Sequence, residues 1–182
     1  RHPPYLTMVL GAGETSPWAL ARAYAVFANG GYLVEPYLID EIRDGQGTLL
    51  WKAHPTVAGD ERIRAIPARN AWLIDSMLHT VVERGTGAAA RRALKRNDLA
   101  GKTGTTNDAV DAWFAGYHPS LVAVTWVGYP QPKPLGKRET GGRAALPIWI
   151  DFMQTALAGV PETYLPMPSG IATTILDGRP EY

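Results

Sequence analysis

The chain has 182 residues, 46% of them hydrophobic and 19% charged, a length that suits one domain and a composition too apolar for a disordered tail or linker. Its 18 Lys and Arg against 17 Asp and Glu leave a net charge of +1, no electrostatic footprint for nucleic acid or an anionic membrane. The absence of Cys removes disulfides, thiolate metal sites and a Cys nucleophile together.

The chain opens Arg1-His2-Pro3-Pro4, without an initiator Met or the basic and apolar regions of an export signal, and reads as an internal start. A first helix is expected from Thr15-Ser16-Pro17, where a hydroxyl can cap and Pro can take the first helical position, to Asn29-Gly30-Gly31. Leu20, Ala23, Tyr24 and Phe27 mark its buried face. Tyr32 to Ile42 reads as a strand that Pro36 makes an edge or interrupts, with Thr48 to Trp51 pairing back across the Asp44-Gly45 turn. A second helix runs from near Pro67 to Gly85, with Leu73, Ile74, Met77, Leu78 and Val81 on its apolar face.

After Gly85-Thr86-Gly87 and a short Ala/Arg helical segment come three closely spaced strands, Leu99 to Thr106, Ala112 to His118 and Leu121 to Tyr129. His118-Pro119-Ser120 joins the last two tightly, so they pair antiparallel. Pro130 to Arg143 is a Gly/Pro/Lys surface loop, Leu146 to Ala158 a third amphipathic helix, and the remainder a Pro-rich extended tail. This divides the chain into a folded unit, 1–158, and a tail, 159–182. The longest apolar stretches, around Leu121 to Tyr129 and Leu146 to Val160, fall short of the ~20 residues of a membrane span. Helix, hairpin, helix, meander and helix is an α+β pattern, an antiparallel sheet flanked by helices.

The densest chemical cluster is Gly101-Lys102-Thr103-Gly104-Thr105-Thr106-Asn107. A phosphate-binding loop would need Gly where Arg96 stands, followed by a helix rather than another strand. Gly11-Ala12-Gly13 fails as a dinucleotide fingerprint because Ser16 replaces the third Gly. A second reading is the Lys-Thr-Gly element of serine acyl-transfer enzymes acting on peptides that end in a carboxylate, beside the plainer one of an exposed β-turn or solvated strand end. Lys102 can offer charge, and period-2 geometry puts the hydroxyls of Thr103 and Thr105 on one side for a carboxylate. Gly104 lets an acyl donor approach the backbone, and the N–H of Thr105 can face a developing oxyanion along an open strand edge. The tripeptide alone is weak, since it arises by chance in roughly one in ten chains of this length.

The surroundings strengthen it. Ala100 to Asp108 with Asp111-Ala112-Trp113-Phe114-Ala115-Gly116-Tyr117 resembles the penicillin-binding proteins. Gly11 to Pro17, Tyr24 to Gly31, Gly85-Thr86-Gly87 and Gly141 to Trp149 are similar to the class A members, and the resemblance runs from about Tyr5 to Leu157. It implies a β-lactamase/D,D-peptidase-like transpeptidase fold, incomplete in this chain, and a D,D-transpeptidase that cross-links peptidoglycan stem peptides and is trapped by β-lactams. By the same resemblance Lys102 and Thr105 are catalytic, and Thr103, Gly104, Thr105 and Thr106 bind substrate. No metal or organic cofactor is implied. The parent protein would carry a glycosyltransferase domain and a single-pass anchor holding it at the periplasmic face of the inner membrane.

One departure matters most. Ser16, Ser76, Ser120 and Ser169 are followed three places on by Ala19, His79, Ala123 and Ala172, so no Ser-x-x-Lys nucleophile is present. Two places on stand Trp18, Leu78, Val122 and Ile171, so Ser-x-Asn is missing too. The chain is therefore expected to be inactive alone, completed by an upstream part of the same polypeptide. A serine D,D-carboxypeptidase or β-lactamase-like hydrolase and a non-catalytic scaffold of the same fold are the alternatives. His2, His54, His79 and His118 show no metal spacing, Asp108 and Asp111 are expected to cap a turn or stay solvated, and Trp113 to lie in the core or wall a groove. Lys133, Lys137 and Arg138 make a mildly basic, solvated loop.

Overall fold

A computed structural model describes residues 13–176 and 179–181. His2, Tyr5 and the first two residues of the Gly11-Ala12-Gly13 segment lie outside them.

Helix α1 spans Pro17–Ala28, and the Ser16 side chain accepts the Ala19 N–H at its start, as the Ser-Pro pair predicts. The short strands β1, Glu41–Arg43, and β2, Leu49–Lys52, form a two-stranded antiparallel hairpin. The Asp44 carboxylate accepts the N–H groups of Gln46 and Thr48 across its turn. Pro36 lies in the irregular stretch before β1, so the expected strand from Tyr32 is interrupted, and Tyr32 keeps only an isolated bridge to Arg64. Helix α2 covers Ala68–Arg84 and α3 covers Ala88–Leu94.

The central sheet has the order β3-β4-β5, with β3 at Ala100–Thr105, β4 at Ala112–His118 and β5 at Leu121–Val127, all antiparallel. Directly opposed residues share a face. Thr103, Phe114 and Thr125 therefore stand on one side, and Lys102, Ala115 and Val124 on the other. The first side carries the larger core, where Phe114 and Leu99 pack with Val82 of α2, Ala90 of α3, and Leu146, Trp149 and Met153. Those last three belong to helix α4, Leu146–Ala156, which follows a π-helical turn at Gly141–Ala145. The second side holds Tyr117 and Ala100 against Ala28, Tyr24 and Phe27 of α1 and Leu78 of α2. Helix α2 thus reaches both cores, crossing the β3 edge near its start.

Two expectations are corrected. The buried residues of α2 are Ala71, Asp75 and Val82, whereas Ile74 is 36% and Met77 62% exposed. The helix is turned because the Asp75 carboxylate accepts the buried Tyr117 hydroxyl at 2.7 Å, which a face chosen on apolarity overlooks. Ala23 of α1 is likewise exposed, and Val26 and Ala28 are buried in its place. The segment after α4 also carries more structure than an extended tail. Arg96 binds the carbonyls of Val160 and Pro161 at 2.6 and 3.1 Å, and Thr174–Leu176 and Arg179–Glu181 pair as strands β6 and β7.

Candidate active site

Among the described residues strand β3 pairs with β4 alone, so beyond the α2 crossing its outer edge has no strand partner among them. Lys102 and Thr105 are exposed there, and Thr103 and Gly104 half-buried. The Thr106 N–H donates inward to the Asp111 carbonyl at 3.1 Å, one step beyond the Thr105–Ala112 pair. Backbone groups alternate sides along an antiparallel ladder, so the N–H groups of Thr105 and Thr103 point outward, to the open edge.

The side chains follow the expected alternation. Thr103 and Thr105 stand on the Phe114 face, and the Gly141 N–H, at the start of the π-helical turn, donates to Thr105 Oγ1 at 3.0 Å. A threonine hydroxyl has one proton and two lone pairs, so Thr105 accepts that bond and keeps its own proton to give. Thr103 Oγ1 lies 2.8 Å from Thr86 Oγ1, in the loop between α2 and α3. Lys102 belongs to the opposite face, and its Nζ reaches back to donate to the Thr103 carbonyl at 2.9 Å. The ammonium therefore sits at the same edge as the two hydroxyls.

Gly104 and Thr106 are placed differently. A Cβ at Gly104 would come within 3.2 Å of Trp113 Cβ, so the glycine leaves room for the indole opposite it as well as for a ligand. Thr106 Oγ1 accepts the Asp111 N–H at 2.8 Å and closes the β3–β4 connection. Its side chain is tied to that turn as an acceptor, and strand alternation places it on the opposite face of the ladder from Thr103 and Thr105.

The pieces brought to this edge by the tertiary fold are Thr86 and Gly141, neither of which carries a role in the sequence reading. The Gly-Thr-Gly triplet signals a turn, but nothing local signals its pairing with a residue 17 positions away. Gly141 is fitted tightly, because a Cβ there would lie 2.3 Å from the Trp113 carbonyl oxygen and 2.4 Å from that of Gly104.

Several of the remaining candidates have structural partners. Asp111 accepts the Trp126 indole N–H at 2.8 Å, and Asp108 and Ala109 occupy the turn with φ of 59° and 50°. Trp113 is half-buried and packs on Trp126 with ring centroids 6.0 Å apart. His79 Nε2 lies 3.5 Å from Asp75. His118 is buried with Nε2 3.1 Å from Asp98 Oδ2, off the line of a well-aligned hydrogen bond. His54 is exposed, as are Lys133, Lys137 and Arg138. Among the described residues no three His, Asp or Glu side chains are grouped to hold a metal ion.

Residues 7–154 match the family described as the penicillin binding protein transpeptidase domain. The chain is 46% identical to penicillin-binding protein 1A of Neisseria lactamica, covering 99% of this chain and 22% of that protein. It is 38% identical to penicillin-binding protein 1A of Pseudomonas aeruginosa, over 96% of this chain and 27% of that protein. The chain thus spans about a quarter of the length of these curated relatives. Among solved structures, penicillin-binding protein 1A from Haemophilus influenzae superposes with a TM-score of 0.89 at 35% identity, covering 97% of this chain and 33% of that one. The penicillin-binding protein PonA1 from Mycobacterium tuberculosis gives 0.75 at 30% identity, over 93% and 45%.

Proposed function

The chain belongs to the penicillin-binding protein transpeptidase family, and from that premise we propose that it supplies the donor-binding edge of a serine D,D-transpeptidase that cross-links peptidoglycan. The observation that carries this is the open edge of β3, where two outward N–H groups, two hydroxyls on one face and one ammonium converge. A stem peptide ending in D-Ala-D-Ala adds to that edge as a strand. Its terminal carboxylate meets the hydroxyls of Thr103 and Thr105 and the charge of Lys102. The penultimate carbonyl oxygen then meets the Thr105 N–H, an oxyanion contact worth about 2.7–4 kcal/mol in the transition state.

The nucleophilic Ser and its Lys partner come from a part of the polypeptide upstream of Arg1. The Ser oxygen attacks the penultimate D-Ala carbonyl, the C–N bond to the terminal D-Ala breaks, and the serine proton leaves with the departing amine. An amine of a neighbouring stem attacks the resulting ester, forms the cross-link, and returns a proton to Ser. β-Lactams present a carboxylate and a strained amide to the same groups and stop at the ester. The whole polypeptide acts at the periplasmic face of the inner membrane, held by an anchor and joined to a glycosyltransferase domain outside this chain. Among the described residues no helix is long and apolar enough to cross a membrane.

The test is acylation of the serine-containing polypeptide by benzylpenicillin. Thr105→Val removes one hydroxyl donor to a carboxylate and is expected to slow acylation about 10- to 100-fold, the range of a hydrogen bond to a charged group. An unchanged rate would overturn the reading.

A further inference from the structure

We propose that Thr86 is a positioning residue for the carboxylate site, holding the Thr103 hydroxyl so that its proton faces the donor peptide. The inference rests on the reading of β3 given above. Its ground is the construction of the α2–α3 loop. The N–H groups of Gly85 and Gly87 both donate to the Val81 carbonyl, at 3.0 and 3.1 Å, which folds the loop back over the last turn of α2. That fold has no room for a side chain at Gly85, where a Cβ would lie 2.9 Å from the Val81 oxygen, and little at Gly87, where it would lie 3.3 Å away. Thr86, between them, is left exposed with its hydroxyl on Thr103.

A third element closes the arrangement. A Cβ built on Gly142 would be 3.5 Å from the Thr86 carbonyl oxygen and 3.8 Å from Thr103 Cγ2, so the π-helical turn stands against both threonines. Proton accounting then assigns the direction of the 2.8 Å hydroxyl contact. Thr103 has one proton, and if it goes to a carboxylate then Thr103 must accept from Thr86. Thr105 is arranged in parallel, accepting from the Gly141 N–H and free to donate. Each carboxylate-facing hydroxyl is thus oriented by one donor from outside the strand, a backbone N–H for Thr105 and a side-chain hydroxyl for Thr103. Removing the Thr86 hydroxyl leaves the Thr103 rotor without its outside donor, while the Thr105 N–H and the nucleophile are untouched.

The experiment compares second-order acylation of the serine-containing polypeptide by benzylpenicillin and by its methyl ester, whose carboxylate charge is masked. Thr86→Val and Thr86→Ala are expected to slow the free acid about 3- to 10-fold, the range of one neutral hydrogen bond. The ester is expected to change much less, and Thr86→Ser to restore the wild-type rate. Thr86→Val combined with Thr103→Val should lose no more than Thr103→Val alone, as groups acting through one contact do. Equal slowing of acid and ester, additive losses, or a loss confined to the valine variant would overturn the proposal, as would an unchanged rate in both variants. If Thr103→Val and Thr105→Val themselves leave the free acid unaffected, the reading of β3 fails, and the role of Thr86 falls with it.

Discussion

Asp98 is fully buried, just before β3, at the end of the sheet away from Thr105. Its carboxylate takes a two-pronged bond from Arg96, at 2.9 and 2.7 Å, and the Thr163 N–H at 3.0 Å, with His118 beside it. Burial pushes this carboxyl up, but the Arg96 hydrogen bonds, the Thr163 amide and the nearby positive charge outweigh it and hold the group below its ordinary value of 3.8. The sign follows: a depressed carboxyl contributes stability above its unfolded value and loses it as pH falls through the folded one. Stability measured by urea unfolding should therefore decline as pH drops below about 4, and Asp98→Asn should flatten that decline. At neutral pH the same variant leaves the Arg96 charge without its partner and is expected to cost about 3–5 kcal/mol. In the sequence Arg96 stands out only for not being a glycine, because its carbonyl partners are 64 and 65 residues away.

At the scale of elements, local signals read well where the chain pairs with its neighbours. The Ser16 cap, the Gly85 stop and the three strands of the meander lie within a residue or two of their expected places. The α2 face reads less well, because the helix buries the Asp75 carboxylate and leaves Ile74 and Met77 exposed. The 141–145 turn is the element whose importance is wholly tertiary. Gly141→Ala would press a methyl group into the Gly104 and Trp113 carbonyls and must lift this turn from β3. It is expected to cost about 1–3 kcal/mol in unfolding measurements, the usual range for overpacking. It should also slow penicillin acylation of the serine-containing polypeptide, since the donor that orients Thr105 moves with the turn. Unaltered stability and acylation together would show that the turn yields freely.

Taken whole, the 182 residues carry the proposed donor-binding edge without a Ser-x-x-Lys motif. No Ser in the chain has Lys three places on, and removing one member of a catalytic constellation leaves little of its rate. The chain by itself is therefore expected to give no covalent band with a fluorescent penicillin at its mass of 19.8 kDa, whereas the serine-containing polypeptide should label. A labelled band from the chain alone would mean that another hydroxyl can act as nucleophile.

The amino-acid sequence by itself determined the α+β class, the strand that carries Lys102, Thr103 and Thr105, the family, and the lack of a Ser-x-x-Lys motif in these residues. Each of these is written in contiguous residues, through periodicity, turn chemistry or a short motif. Only the tertiary structure decided which groups meet those hydroxyls, since that depends on Gly141 and Thr86 arriving from positions 36 and 17 residues away from their partners. It also turned Thr106 inward to its hairpin and gathered Arg96, Asp98 and His118 into one buried cluster. Hydrogen-bond direction and burial are properties of neighbours in space, and the sequence names those neighbours only after the chain has folded.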